Sequence, residues 1–283
     1  MNRVPLTFGL RLLLFYNKLF SWRLRKQSKD GWQAHGIDDE AGQFRYADYR
    51  CADTPNFVKR FGTVDFRGKT VLDFGSGHGG STVWFARQGT KKVIGVDVDA
   101  RVLEISGRYL KHVDPKGELP IEIRKGDRVR VPVEDGTIDC LMSMDVVEHV
   151  QDPAAILAEW QRVLSPTGRA YVSFGPLWYH PHGVHLWDIF GAPWVHVLFP
   201  ERTVVAARHY MKNDDLDPTK LTRYRDIGFN CMTVSRFLKL LRESGLEAET
   251  LQVCPMLGFK PLTWLPGVRE LFTTEVRCVL KRC

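Results

Sequence analysis

Two groups of residues in this 283-residue sequence have the types and the spacing to do chemistry. Histidines recur in His180-x-His182-x-x-His185, and the pair Glu148-His149 follows a short apolar run. Imidazole titrates near neutral pH, so a histidine can remove the proton of a reacting hydroxyl group. We therefore expect the catalytic residues to be among His149, His180, His182 and His185.

Other interpretations of these histidines remain open. A histidine cluster can bind a divalent ion, but Asp188 is the one acid at a companion spacing, and no cysteine stands at such a spacing. We therefore assign no metal from the sequence. The histidines could also simply pack the aromatic segment around them. Glu148-His149 could serve as base or metal ligand, or it could cap the helix that follows.

A glycine-rich stretch, Thr70-Val-Leu-Asp-Phe-Gly-Ser-Gly-His-Gly-Gly80, has the pattern of a ligand-binding turn. An apolar run leads into the glycines, and residues 81–87 read as the first turns of a helix. A buried strand, a tight turn and a helix N-terminus form the βα unit that holds nucleotide-like ligands in open α/β sheets. The free amides at the start of such a helix face the ligand.

The glycine pattern alone leaves the ligand open. Gly75, Gly77 and Gly80 satisfy G-x-G-x-x-G, and Asp97 has about the spacing of an acid that holds ribose hydroxyls, so an NAD(P) site is one interpretation. Asp73, however, lies inside the strand, where a buried carboxylate needs a partner. The cationic amino-acid end of S-adenosylmethionine would be such a partner, and hydrogen bonds from loop amides are the alternative.

Strand and helix patterns alternate from residue 70 onward. Strands are predicted at 70–74, 93–97, 121–125, 138–144, 169–174, 246–254 and 273–281. Helices are predicted at 81–87, 99–112, 153–164 and 233–244, with a turn at 165–168. This alternation predicts an α/β fold with a doubly wound, mostly parallel seven-stranded sheet, whose last two strands can form an antiparallel edge.

Three segments lie outside this repeat and define the expected domain organisation. Residues 1–30 form a basic apolar arm, and residues 31–69 form an N-terminal cap with a helix near 54–62. The ligand-binding domain is expected over 70–283, and it contains an insertion at 175–230. A connection this long in a compact domain is usually functional, and its aromatic residues with a few polar groups are typical of a substrate lid or pocket.

The charge distribution bears on partners and location. The net charge is +7, of which residues 1–30 contribute +6, so the rest of the chain is close to neutral. This distribution argues against a nucleic-acid partner. Residues 4–29 could touch an anionic membrane surface as an apolar helix with basic residues, or the helix could pack on the body as a lid over the cofactor. Six scattered cysteines without C-x-x-C spacing indicate reduced thiols and a cytoplasmic protein.

Taken together, the motifs resemble class I S-adenosylmethionine-dependent methyltransferases, especially the broad family that contains ubiquinone and menaquinone biosynthesis enzymes. The similarity covers about residues 70–175. The matching pieces, in the family's order, are Val71–Gly79, Gly95-Val-Asp97, Gly126-Asp127, Pro132–Asp139, Asp145-Val-Val-Glu-His-Val150 with Asp152-Pro153, and Leu164–Arg169. Each piece is weak alone, but the series favours S-adenosylmethionine over NAD as the cofactor.

The resemblance also implies which residues contact the cofactor. They are Asp73, Gly75, Ser76, Gly77, Asp97, Val98, Asp127, Arg128, Met144 and Asp145. In such enzymes the glycines would run under the methionine part, Asp97 would accept both ribose hydroxyls and Val98 would flank the adenine. Asp127 would accept the adenine amino group, and Asp145 would lie beside the reacting methyl group.

We therefore expect an S-adenosylmethionine-dependent methyltransferase that acts on a small-molecule or lipid- or sugar-linked acceptor, with oxygen as the favoured methylated atom. An NAD(P)-binding oxidoreductase and a non-catalytic S-adenosylmethionine-binding module are the alternatives. A nucleic-acid substrate is not favoured, because the position after the fourth strand reads Asp145-Val-Val-Glu148 and not an Asn/Asp-Pro-Pro-Tyr-like tetrapeptide.

Overall fold

The chain folds around one sheet of seven strands. They are β1 (Thr70–Phe74), β2 (Lys92–Asp97), β3 (Ile121–Lys125), β4 (Ile138–Met144), β5 (Leu164–Phe174), β6 (Leu246–Pro255) and β7 (Thr273–Arg282). Their order is β3-β2-β1-β4-β5-β7-β6. The first five strands pair in parallel, and β7 runs antiparallel to both β5 and β6. The predicted α/β fold with a mostly parallel seven-stranded sheet is confirmed.

In this computed structural model, residues 5–20, 39–186, 188–212, 222–258, 261 and 265–283 are described. The helices are α1 (Phe8–Leu19), α2 (Glu40–Lys59), α3 (Gly80–Ala86), α4 (Ala100–Val113), α5 (Pro153–Val163), α6 (Val195–Leu198), α7 (Glu201–Lys212), α8 (Val234–Glu243) and α9 (Pro266–Phe272). The basic residues of the predicted arm at 23–29 and the aromatic residue Trp187 lie outside the described residues. Among those that are described, no helix has both the length and the apolar content to cross a membrane.

The central strands are buried on both faces, as their nearly continuous apolar sequences require. On one face Trp160 of α5 and Phe237 of α8 pack against the sheet together with Phe174. On the other face Phe57 of α2 and Phe85 of α3 pack with the strand residues. Because both faces are covered, the open positions for a ligand are at the ends of the strands, and the strand order reverses between β1 and β4 at their carboxyl ends.

The cap helix differs from its prediction. The expected helix near 54–62 covers only the end of α2, which begins after its N-cap Asp39, whose side chain accepts a hydrogen bond from the Gly42 N–H. Pro55 lies inside this helix, where a proline normally ends one. Tertiary packing compensates, because Ala47 and Phe57 of α2 are buried against the domain.

The start of β5 also differs. The predicted turn at 165–168 is part of the strand, which begins at Leu164. Leu164 pairs with Ile138 and Arg169 pairs with Cys140, so the register shifts between these two pairs. Residues 165–168 therefore do not form a turn before the strand. They belong to β5 and form a bulge-like irregularity in its pairing with β4.

The insertion and α1 form a separate small core. Leu10 and Leu13 of α1 are buried among apolar residues of the insertion such as Phe190 and Val204. Asn17 is also buried there; its side chain donates to Ile189 O at 2.9 Å and accepts from Ala192 N at 3.1 Å. One face of α1 therefore docks on the insertion. This agrees with the packing that one interpretation of the arm predicted, whereas the role of a lid over the cofactor stays a prediction.

Candidate functional site

The loop after β1 is shaped by glycines that serve different purposes. Gly75 and Gly77 both have a left-handed backbone, with φ of 77° and 54°. A Cβ at Gly75 would lie 2.3 Å from Cγ2 of Val146, whereas a Cβ at Gly77 would meet nothing within 4 Å. The loop therefore packs against the turn after β4 at Gly75 and leaves open space for a ligand at Gly77. Protein packing explains Gly75, while the close approach of a ligand stays the prediction for Gly77.

Asp97, the predicted ribose ligand, is the last residue of β2 and faces the glycine loop. Its Oδ2 accepts a hydrogen bond from Gly77 N at 3.1 Å, and its Oδ1 accepts one from Asp99 N at 3.0 Å. Each carboxylate oxygen can accept a further bond. The next residue, Val98, exposes 55% of its surface. The structure thus brings the predicted ribose and adenine contacts next to the open side of Gly77.

Asp127 lies two residues beyond the end of β3, further along the same sheet edge. It is exposed and accepts hydrogen bonds from Val129 N at 2.8 Å and Arg130 N at 2.6 Å, which lower the pKa of its carboxyl group. Arg128 beside it is exposed. Asp127 also lines an open cleft of about 600 Å³ that includes Arg162. This cleft does not include Gly75, Gly77 or Asp97, so it extends away from the glycine loop.

Asp73 and Ser76 are both buried within the βα unit. Oδ2 of Asp73 accepts hydrogen bonds from the hydroxyls of Ser81 at 2.7 Å and Thr82 at 2.6 Å, while burial raises the pKa of its carboxyl group. The loop amides predicted as the alternative partners are replaced by hydroxyl groups of the following helix. The side chain of Ser76 lies against Gly95, and its N–H donates to Val96 O at 3.1 Å.

Met144 and Asp145 end β4 beside this loop. Asp145 is a non-glycine residue with φ of 58°, and its N–H donates to Ser173 O at 2.9 Å. Its carboxylate pairs with Arg50 of α2, with Nη1 3.5 Å from Oδ2. The side chain is 53% exposed, and the protein atoms around it raise the pKa of its carboxyl group by desolvation, a shift that Arg50 opposes.

Helix α2 contributes residues that the sequence analysis did not identify. Arg50 reaches Asp145, and Tyr46 packs edge-to-face on His78 of the glycine loop, with ring centroids 5.2 Å apart. Gly80 allows this approach, because a Cβ there would lie 2.0 Å from Ala47 O. Tyr46 and Arg50 are four residues apart, so the same face of a helix presents both. This spacing could have pointed to the two residues only if the helix had been predicted over its full length.

The Glu148-His149 pair lies on a 3₁₀ turn directly after β4, and the structure brings His185 of the insertion to it. The rings of His149 and His185 are 5.1 Å apart and edge-to-face. One possible ligand atom from each of Glu148, His149 and His185 lies within 4.8 Å of the others. Three of the sequence-predicted polar residues therefore form one cluster, which we call the Glu–His–His cluster.

Electrostatics in the cluster follow from its partial burial. Burial, with a smaller contribution from Asp145, raises the pKa of Glu148 to about 8. Burial lowers the pKa of His185 to about 3, and desolvation by the surrounding protein lowers that of His149, although the surface of this residue is exposed. The carboxyl group therefore keeps its proton to unusually high pH, and both imidazoles are neutral at pH 7.

The other two predicted histidines, His180 and His182, lie together, away from the pairing of His149 with His185. The His182 N–H donates to Nδ1 of His180 at 3.2 Å, and burial lowers the pKa of His180 to about 4. Asp188, the companion acid considered for a metal site, instead pairs with Lys212 at 2.8 Å. The structure therefore places the ring of His185 against His149, while the His185 N–H still donates to His182 O at 3.0 Å.

The end of the insertion holds the turn that carries the cluster. Asn230 Nδ2 donates to Val147 O at 2.6 Å and to Val150 O at 2.7 Å, on both sides of Glu148-His149. Gly228 O accepts a hydrogen bond from His149 Nδ1. Sequence reasoning missed Asn230, because these contacts join residues about 80 positions apart and have no local pattern.

The sheet order, with the glycine loop and Asp97 at the strand ends, defines a Rossmann-like ligand-binding domain. Comparisons with known proteins specify its family. Residues 72–172 match the family model described as Methyltransferase domain. The chain is 34% identical over 227 residues to an uncharacterized methyltransferase of Mycobacteroides abscessus, covering 77% of this chain and 78% of that protein. It is 32% identical over 142 residues to a ubiquinone biosynthesis O-methyltransferase of Acinetobacter baylyi, covering 48% of this chain and 55% of that protein. The chain therefore belongs to the class I S-adenosylmethionine-dependent methyltransferases.

Comparison with solved structures agrees at the level of the fold. Geranyl diphosphate C-methyltransferase from Streptomyces coelicolor A3(2) superposes with a TM-score of 0.54 at 14% identity, covering 86% of this chain and 84% of that chain. For other curated relatives the similarity is partial: the matched segment covers 42% of this chain and 43% of an uncharacterized methyltransferase of Mycobacterium sp. (strain JLS), so the chain spans less than half of that relative's length. The family's cofactor is S-adenosylmethionine, which sets the NAD(P) alternative aside.

Proposed function

We propose that this protein transfers the methyl group of S-adenosylmethionine to an oxygen atom of a small-molecule or lipid- or sugar-linked acceptor. The observation that carries the proposal is the position of the Glu–His–His cluster. Val146, next to Asp145, packs on Gly75 of the cofactor loop, and Glu148-His149 follows within the same turn. Polar groups that can bind a hydroxyl group or take its proton thus lie on the segment that borders the predicted cofactor site.

The residues present fit S-adenosylmethionine. The open space over Gly77 and the remaining acceptor capacity of Asp97 suit a ribose with two hydroxyl groups. When bound, the cofactor supplies a methyl group on a positively charged sulfur atom. The chain's task is to align the acceptor in line with that bond, to exclude water and to remove the hydroxyl proton. Asp145, held by Arg50, would border the reacting methyl group.

Oxygen is favoured over carbon as the methylated atom because the acceptor side presents nitrogen and oxygen groups. His149 is exposed, so it can be reached from solvent, while Glu148 behind it is buried. The O-methyltransferase of A. baylyi supports this choice by sequence similarity. The C-methyltransferase from S. coelicolor is similar in fold alone.

A cleft leading to His149 indicates the chemical character of the acceptor. It has a volume of about 290 Å³, and its charged lining residues are Arg223, Arg225, Arg236 and Glu201. Glu201 and Arg236 are both partly engaged, because Glu201 Oε1 accepts a hydrogen bond from Tyr224 N and Arg236 Nη1 donates one to Asn230 O, which leaves Arg223 and Arg225 as the basic groups of the cleft. The excess of guanidinium groups favours an acceptor with an anionic group, such as a carboxylate or a phosphate linker.

The outer face of α1 supports contact with a membrane surface, which would bring a lipid-linked acceptor within reach. The face opposite the docked residues carries apolar side chains at helical spacing: Phe8, Leu12, Phe15 and Leu19, which are 83%, 48%, 60% and 58% exposed. Arg11 and Lys18 flank them, and no acidic residue occurs before Asp30 in the sequence. An apolar stripe among basic residues suits an anionic lipid surface rather than a neutral one.

Methyl transfer to oxygen can be tested with S-adenosylmethionine that carries a ¹³C-labelled methyl group. The protein is incubated with this cofactor and with a cell metabolite extract separated into aqueous and lipid fractions, and the products are examined by NMR. The ¹³C chemical shift distinguishes a methyl group on oxygen from one on carbon, nitrogen or sulfur. A labelled O-methyl product that requires active protein supports the proposal; labelled products with C-methyl or N-methyl groups alone contradict it.

A further inference from the structure

The hydrogen bonds in the Glu–His–His cluster fix which ring nitrogen of each histidine carries the proton. His149 Nδ1 lies 3.0 Å from Gly228 O, and His185 Nε2 lies 2.8 Å from Pro176 O. A carbonyl oxygen can only accept, so the nitrogen facing it carries the proton. The tautomers are thereby fixed, and the lone pairs are on Nε2 of His149 and Nδ1 of His185.

This arrangement is the one by which proteins hold histidines that bind metal ions. A ligating histidine usually donates its second ring N–H to a backbone carbonyl or a carboxylate, which orients the ring and increases its basicity. Both histidines of the cluster have such a carbonyl. An imidazole that uses one nitrogen for a carbonyl and the other for a metal ion has none left to act as a base.

Glu148 supplies the third group. Its Oε1 accepts a hydrogen bond from Gly175 N at 3.0 Å, while its Oε2 is buried and has no hydrogen-bond partner among the described residues. The residue is only 4% exposed. A buried carboxyl oxygen without a partner costs free energy, and a cation that takes the place of the carboxyl proton would remove that cost.

The backbone supports the same assignment. His185 has φ of 51°, a left-handed conformation that is uncommon outside glycine. Such conformations persist where the surrounding structure enforces them, and they cluster at binding and catalytic sites. In this conformation the ring of His185 lies against that of His149. The two side-chain hydrogen bonds of Asn230 hold the turn that carries Glu148 and His149.

We propose that Glu148, His149 and His185 bind one divalent transition-metal ion, with Zn²⁺ as the representative ion. Two imidazoles and one carboxylate suit Zn²⁺ and its first-row neighbours, whereas Mg²⁺ prefers oxygen ligands. Metal–ligand bonds of about 2.0–2.2 Å would draw the three side chains closer than they lie here. Three protein ligands leave a coordination position open, as in catalytic rather than structural sites.

The role of the ion rests on the proposed function, because the open position would take the acceptor hydroxyl. Coordination lowers the pKa of that hydroxyl, and its proton leaves to water. The resulting oxygen anion attacks the methyl carbon, the S–CH₃ bond breaks as the O–CH₃ bond forms, and neutral S-adenosylhomocysteine remains. The acceptors expected on this basis are those whose hydroxyl can bind a metal ion, particularly with a second oxygen nearby.

The binding of Zn²⁺ itself provides the test, without any need for the acceptor. Untagged, chelator-treated full-length protein is titrated with Zn²⁺ in competition with a chromophoric chelator, and Co²⁺ is used in parallel for its visible absorption spectrum. We expect one equivalent to bind to the unmodified protein. Glu148→Gln, His149→Gln and His185→Gln should each weaken binding by about 100-fold or more, since replacing even an outer-shell partner costs about 10–100-fold.

Control variants separate this site from histidines in general. His112→Gln, on the exposed surface of α4, should leave Zn²⁺ affinity unchanged, and so should His180→Gln. An equal loss in His180→Gln and His149→Gln would show that the ligand set is wrong. Absence of stoichiometric Zn²⁺ binding, or binding that survives all three cluster substitutions, would overturn the proposal.

S-adenosylhomocysteine binding, measured on the same samples, distinguishes failure of this inference from failure of the proposed function. The three cluster variants should keep their S-adenosylhomocysteine affinity, which also shows that they are folded. If the homocysteine ligand binds and Zn²⁺ does not, the metal site alone is refuted. If Zn²⁺ binds and the homocysteine ligand does not, the metal site stands and the methyltransferase role attached to it is refuted.

Discussion

Arg50 of the cap helix α2 and Asp145 at the end of β4 form an ion pair, with Nη1 of Arg50 3.5 Å from Oδ2 of Asp145. The two residues are 95 positions apart in the chain. The contact ties the N-terminal cap to the strand end where the resemblance places the reacting methyl group. Through this contact the cap becomes part of the predicted cofactor site rather than a cover remote from it.

Replacing Arg50 with Met should weaken S-adenosylhomocysteine binding about tenfold, or about 1.4 kcal/mol. The substitution removes the cation that opposes the negative charge of Asp145 and leaves that carboxylate free to reorient. Calorimetric titration measures the change. Arg67→Met, which breaks the exposed pair with Asp65, is the matched control and should have no effect. Equal affinities for the two variants would remove α2 from the site.

Alanine at Gly75 and at Gly77 should differ in stability. Both positions have a left-handed backbone, which costs a residue with a Cβ about 1–2 kcal/mol. Gly75→Ala also pushes its Cβ into Val146, and overpacking adds about 1–3 kcal/mol. Denaturant unfolding compares the two. The additional Val146→Ala substitution should recover part of the loss at Gly75 and none at Gly77; identical losses at both glycines would show that the Val146 contact is unimportant.

His196 should make the stability of the insertion depend on pH. Burial lowers its pKa to about 4, and its ring hydrogen-bonds to Trp178 O, which partly opposes that shift. Above about pH 6.5 the residue is neutral in both the folded and the unfolded chain, and its contribution is complete. As the pH falls from 6.5 towards 4, only the unfolded chain takes up the proton, so stability decreases, by up to about 3 kcal/mol.

The measurement for His196 is the melting temperature between pH 4 and pH 7, for the unmodified protein and for His196→Gln. The variant should show a smaller decrease over this range, because the proton uptake of this histidine is absent. His112→Gln on the surface of α4 provides the comparison for losing a histidine elsewhere. If His196→Gln has the same pH profile as the unmodified protein, His196 is not the group responsible.

The two faces of α1 should respond differently to substitution. Leu13 is fully buried against the insertion, and Leu13→Ala should lower stability by about 2–5 kcal/mol. Phe15 is 60% exposed on the opposite face, and Phe15→Ser should change stability by no more than about 0.5 kcal/mol. Co-sedimentation with anionic phosphatidylserine vesicles should show the reverse order, with Phe15→Ser binding more weakly. Vesicle binding that is unaffected by Phe15→Ser, or equal for neutral phosphatidylcholine vesicles, would contradict the membrane contact.

The parts of this structure that could be predicted from the sequence are those coded by local patterns. The strands and the glycine loop follow from apolar runs that lead into glycines, and Asp97 follows from its place at the end of such a run. The predicted cofactor residues lie on strand ends that share one sheet edge, because parallel strands place all their carboxyl ends together. Sequence order is sufficient to bring these residues near one another.

The remainder depends on contacts between distant segments. Arg50 and Asn230 belong to no sequence motif. Their partners can be identified only when the cap and the end of the insertion are placed against the segment after β4. The sequence grouped His185 with His180 and His182 by spacing, whereas the fold of the insertion turns His185 towards His149. Helix α2 was underestimated because Pro55 interrupts its pattern and tertiary packing supports it.

The central claim is that the loop from Gly75 to Gly77, together with Asp97, binds S-adenosylmethionine, and calorimetric titration with S-adenosylhomocysteine tests it most directly. NAD is titrated in parallel, and Asp97→Ala is measured beside the unmodified protein. We expect the homocysteine ligand alone to bind, with about 1.5–3 kcal/mol of binding free energy lost in Asp97→Ala, the range for hydrogen bonds to a charged group. Binding of NAD in place of the homocysteine ligand, or an unchanged affinity in Asp97→Ala, would contradict the account.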